Sequence, residues 1–118
     1  MPLFRRSVFV VAALLAAPQI AQAHHGWSSY DAEKPIKLTA PVSGVTWGNP
    51  HGAAKVSYGG KTWDVVLAPT ARMEARGLRQ DALVKAKAVT LEGYPRSDGT
   101  PEMRIERVTI DGKTVELR

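Results

Sequence analysis

His24, His25 and His51 are the only histidines in this chain, and their placing lends itself to metal chemistry. His24 and His25 directly follow Ala21-Gln22-Ala23, a small-x-small pattern of the kind a signal peptidase cuts. Cleavage after Ala23 would make His24 the first residue of the mature chain. Its α-amine and Nδ1 then close a chelate ring on Cu(II), and a further nitrogen from His51 or His25 completes a histidine brace. Alternatively, the amine, a deprotonated amide and the His25 imidazole form a tetragonal plane of nitrogens. Copper(II) favours such planes and heads the divalent affinity order. The chain has no cysteine, so any metal site must use nitrogen and oxygen donors. The competing reading leaves His24 and His25 as solvated residues at a processed terminus and His51 as a loop residue bonded to backbone.

Aromatic residues offer a second chemistry. Trp27, Tyr30, Trp47, Trp63 and Tyr94 can line a groove on a β-barrel face and stack a flat ligand. Trp27 and Trp47 are the ligand-binding candidates among them, because Trp63 shares an apolar strand face with Val65 and Leu67 and reads as core. In Asn49-Pro50-His51-Gly52 the flanking residues make a rigid turn, and His51 is the member no turn rule requires. Arg72-Met73-Glu74-Ala75-Arg76 reads as a solvated helix face with Met73 turned inward. Glu92, Asp98, Glu102 and Glu106 show no paired-carboxylate spacing, and no Ser-His-Asp order, phosphate loop or HExxH motif occurs. The chain does not read as an enzyme.

The positioning elements begin with an export segment. Arg5 and Arg6 precede an apolar run, Val8 to Ala17, that Pro18 breaks. The run is about half the length of a membrane-spanning helix, so residues 1–23 read as a cleaved signal peptide that leaves no stable membrane anchor. Secretory export is favoured over the twin-arginine route, and the expected location is periplasmic or secreted. Two of the 16 basic residues and none of the 11 acidic ones lie in the signal, so the mature chain is only mildly basic. Its charges are scattered, which argues against a nucleic-acid partner. A small ligand or a periplasmic protein remains the expected partner.

Residues 24–35 read as a polar N-terminal arm and residues 36–118 as one small domain. Ile36, Leu38, Ala40 and Val42 alternate as on a half-buried strand, and the apolar parity then switches to Val45 and Trp47. An extra residue at Ser43-Gly44 explains the switch as a β-bulge. Ala54–Tyr58 and Thr62–Leu67 flank Gly59-Gly60 as a hairpin, and Pro69-Thr70 opens a short helix that Gly77 ends. A further helical turn fits Gln80 to Lys85. Strands at Val89–Tyr94, Met103–Ile110 and Thr114–Leu117 follow, with a second parity slip near Glu106-Arg107. The pattern predicts an all-β fold with one short helix. A long bent first strand and a helix between the third and fourth strands are marks of a small OB-like β-barrel, with an SH3-like barrel as the alternative.

The chain also resembles a family of small exported bacterial proteins classed only as a domain of unknown function. The resemblance rests on Ala23-His24-His25, Asp31, Lys34-Pro35-Ile36-x-Leu38-Thr39, Trp47-x-Asn49-Pro50-His51, and Trp63 leading to Leu67-Ala68-Pro69. Met73-Glu74-x-Arg76-Gly77-Leu78, Glu92-Gly93-Tyr94-Pro95 and Met103-Arg104 complete it. Gly26 and Gly52-Ala53-Ala54 depart from the family pattern, but no histidine is lost. The resemblance implies an exported β-rich domain and supplies no activity.

Overall fold

The computed structural model describes residues 26–118, so the signal segment, His24 and His25 lie outside the described residues. Seven strands form one curled sheet: β1 (Ile36–Ala40), β2 (Ser43–Trp47), β3 (Gly52–Tyr58), β4 (Lys61–Val66), β5 (Val89–Pro95), β6 (Glu102–Ile110) and β7 (Lys113–Glu116). Neighbours run β1-β5-β6-β4-β3-β2, with β7 also on β6. Pairing is antiparallel except between β4 and β6, which run parallel. The two ends of this path, β1 and β2, are consecutive in the chain, and Pro41-Val42 lies between them. Pro41 therefore sits where no ladder hydrogen bond is demanded of its missing N–H.

Both parity slips have a backbone cause. In β2 the register with β3 shifts between Ser43 and Thr46, and Gly44 takes a left-handed φ of 55°. A side chain is strained in that conformation and glycine is not. In β6, Glu92 faces Arg107 and Gly93 faces Ile105, so Glu106 is the extra residue. Met103 and Ile105 before it, and Val108 after it, consequently all point into the core.

Two short helices cover the sheet between β4 and β5, where the sequence predicts one firmly and a further turn after it. In α1 (Thr70–Ala75), Met73 is fully buried; in α2 (Gln80–Lys85), Leu83 is buried and Val84 exposed. Leu38, Val56, Val65, Leu67, Leu91 and Ile105 join them in a single core. No helix among the described residues is long and apolar enough to cross a membrane.

The charged face of α1 is less solvated in role than its composition implies. Arg72 Nη1 donates to Leu117 O at 3.1 Å, and Arg76 Nη1 donates to Glu116 O at 2.8 Å and Arg118 O at 3.0 Å. These bonds give the carbonyls of Glu116, Leu117 and Arg118 their donors and fasten that segment to α1.

Candidate functional site

Strand β6 alternates buried Met103 and Ile105 with half-buried Glu102, Arg104 and Glu106, so the polar set shares the outer face of the sheet. The N-terminal arm lies against this face. Trp27–Ser29 forms one 3-10 turn, and Tyr30 then makes a single bridge to Arg96. Backbone bonds from Asp31 N to Pro95 O and from Ser97 N to Ser29 O, both 2.9 Å, pin the arm to the β5–β6 hairpin. Of residues 24–35, read from sequence as an arm that Trp27 and Tyr30 could anchor to the barrel, Tyr30 is only 6% exposed.

Two side chains of the arm engage β6. The Tyr30 hydroxyl donates to Glu102 Oε2 at 2.7 Å, and Arg96 Nη1 donates to the same oxygen at 3.2 Å. Burial, and then the Glu102 carboxylate, push the Tyr30 hydroxyl well above the ordinary tyrosine range. The Trp27 ring has the guanidinium carbons of Arg104 and Arg118 each 4.5 Å from its centroid. Tyr94 meets it edge-on at 6.2 Å, and Tyr30 lies tilted at 6.5 Å. Such contacts are each worth about 0.5–2 kcal/mol, more as water is excluded.

Arg104 is the least satisfied group here. Its Nη1 is buried and has no hydrogen-bond partner among the described residues. Burial lowers its pKa, and the charges of Arg72 and Arg118 lower it further against an opposing contribution from Tyr30. Trp27 also borders a cleft of about 290 Å³, with Ser28, Tyr30, Ala32, Tyr94 and Arg118 as its other walls; Arg104 is not one of them.

His51 lies elsewhere on the same face. The register places Arg104 beside Val66, Val66 beside Ala53, and Ala53 beside Thr46. His51, two residues before Ala53, borders a cavity of about 320 Å³ with Thr46, Lys55, Asp64 and Glu102 among its other walls. Its Nδ1 is 2.9 Å from Gly52 O. A carbonyl only accepts, so the Nδ1–H donates, and in the neutral ring Nε2 carries the lone pair. Glu102 thus borders the cavity of His51 and also holds Tyr30.

The two tryptophans picked out by sequence are not brought together. Trp47 points to the opposite face of the sheet, packs against the core, and donates from Nε1 to Glu74 Oε1 of α1 at 2.9 Å. Its cleft is lined by Glu74, Arg79, Gln80 and Asp81 and does not include Trp27. Trp63 is half-buried against the core, with its Nε1–H on Tyr58 O at 3.0 Å. Sequence reading missed Arg104 and Arg118, although the Glu102-x-Arg104-x-Glu106 alternation marks a polar sheet face. Among the described residues no group of three or more His, Asp or Glu side chains is arranged to hold a metal ion.

Fold and site describe a small, mostly β domain whose N-terminal arm packs an aromatic cluster onto an arginine-bearing sheet face. The chain belongs to a family of unknown function, DUF6152, whose model matches residues 12–104. No curated protein matches it.

Proposed function

We propose that this protein is an exported, OB-like β-barrel module that binds Cu(II) through a mature N-terminal His24, with His25 and His51 as further donors. The OB-like reading over an SH3-like one is supported by β1 and β2 acting as a single bent strand and by α1 lying between β4 and β5.

The observation that carries the copper reading is the docking of the arm by Tyr30 on Glu102, a residue that also borders the cavity of His51. Six positions separate His24 from Tyr30, and with Trp27–Ser29 wound in a 3-10 turn the backbone reach is at most about 15 Å, to which the side chains add. Two strand spacings and four residues separate Glu102 from His51 in the register, roughly 16 Å. An amine and two imidazoles tethered in this way suit Cu(II) by donor type. The Nδ1–H bond of His51 to a backbone carbonyl is the orienting contact that ligating imidazoles commonly have.

The test is Cu(II) affinity, with EPR of the bound ion, on protein that begins at His24. The same protein with one added N-terminal residue, and a His51→Ala variant, run beside it. Tight binding lost in both controls is expected. Weak binding indifferent to His51 would overturn the reading. Export is tested by the mass of the protein recovered from the periplasm, expected to begin at His24.

A further inference from the structure

We propose that the cleft between the β6–β7 hairpin and the segment joining α1 to α2 binds a small aliphatic monocarboxylate. Its chain lies on the apolar floor and its carboxylate meets the Lys113 ammonium. The inference is independent of copper, since it uses none of the three histidines.

The floor follows from the hairpin register. Ile110 pairs with Lys113 and Val108 with Val115, so these four side chains share one face. Gly77, Leu78 and Ala82 stand opposite, and the two sides border a cleft of about 350 Å³, within the range of small-ligand sites. Leu78, Val108 and Val115 are buried, and Ile110 and Ala82 half-buried. No aromatic ring lines the cleft, so its floor suits an alkyl chain rather than a stacked ring.

Lys113 supplies the charge, and it is the one member of that hairpin face that is not apolar. Its side chain reaches across to the exit of α1: a Cβ on Gly77 would stand 2.9 Å from Lys113 Nζ and 3.6 Å from its Cε. Among the described residues no hydrogen bond or ion pair occupies this ammonium. Asp111, the other charged residue at the cleft, belongs to the turn, with a φ of 49°, and is not paired with Lys113. A free ammonium beside an apolar floor offers a carboxylate a charge-assisted hydrogen bond. Lys113 is exposed, so that bond forms without burying its charge. The Asp111 charge opposes a second negative charge on the ligand, which favours a monoanion over a phosphate dianion.

The experiment follows the backbone amide and indole N–H resonances of chelator-treated protein by NMR. Octanoate, hexanoate, octylammonium and leucine are titrated in turn, all below micelle formation. Octanoate is expected to shift Gly77, Ala82 and Lys113 saturably, with a Kd at or below about 1 mM. The indole signals of Trp27 and Trp47, which border other clefts, should not move. Hexanoate, two methylenes shorter, should bind about tenfold more weakly. Octylammonium and the zwitterion leucine should each bind at least about threefold more weakly than octanoate. Lys113→Glu should invert the preference for octanoate over octylammonium, and Lys113→Met, which replaces it if it does not fold, should abolish that preference. Ala82→Met, which fills the cleft, should weaken octanoate by about tenfold or more with amide dispersion retained. No saturable shift, octylammonium or leucine binding as tightly as octanoate, an unchanged preference in the Lys113 variant, or unchanged affinity in Ala82→Met would overturn the proposal.

Discussion

Tyr30 and Glu102 are 72 positions apart in the chain, and their side chains meet at 2.7 Å. That bond fastens the N-terminal arm to β6 and sets its aromatic residues over the outer face of the sheet. It also makes Tyr30 sensitive to alkali. The folded pKa of its hydroxyl is raised above the ordinary value of 10.0, first by burial and then by Glu102. The stability this contributes is fully present below the unfolded pKa. It is lost as pH rises from about 10 toward the folded value. Tyr30→Phe should therefore flatten the alkaline limb of a stability–pH curve, and at neutral pH it should cost about 1 kcal/mol. Urea unfolding across the alkaline range checks both.

Asp98 predicts the opposite limb. The Thr100 backbone N–H donates to Oδ1 at 2.9 Å and, with contributions from the Thr100 hydroxyl and Arg96, lowers the folded pKa. A depressed carboxylate contributes stability above its unfolded pKa and loses it as pH falls through the folded value. Asp98→Asn should make stability less steep below about pH 4, measured by thermal melts at decreasing pH.

Gly93 has no room for a side chain, because the backbone of β6 lies where a Cβ would stand. A Cβ there would collide with the Arg104 carbonyl oxygen and the Ile105 Cα, opposite the Glu106 bulge. Backbone cannot yield as a flexible side chain can. Gly93→Ala should destabilise by about 2–3 kcal/mol or more, read as a lower urea midpoint at unchanged slope.

Trp47 and Glu74 should behave as a structural pair. The Nε1–H bond to Oε1 at 2.9 Å links β2 to α1. Trp47→Phe should cost about 1 kcal/mol. A double-mutant cycle with Glu74→Ala should return a coupling of about 0.5–1 kcal/mol.

Local order was legible wherever a residue's backbone preference or its parity is enough to decide it. Side chains on a strand alternate, so the shifts at Ser43-Gly44 and Glu106-Arg107 announced two bulges before any contact was known. Pro69 and Gly77 bracketed α1 because one cannot continue a helix backward and the other tolerates its exit. The inward turn of Trp47 could have been read in the same way, since it shares parity with Val45. Arg104 and Arg118 could not. Their meeting on the Trp27 ring depends on strands paired across dozens of residues, and scattered charges carry no local periodicity.

By itself the sequence determined the β character, the turns, the bulges and the inward set that builds the core, because these follow from short-range sterics and the alternation of buried positions. Only the tertiary structure decided that the arm docks by Tyr30, that Trp27 and Trp47 face different clefts, and that half-buried Arg104 keeps one buried nitrogen unpaired. Those outcomes depend on which distant strands become neighbours, and that choice is made by the whole core at once.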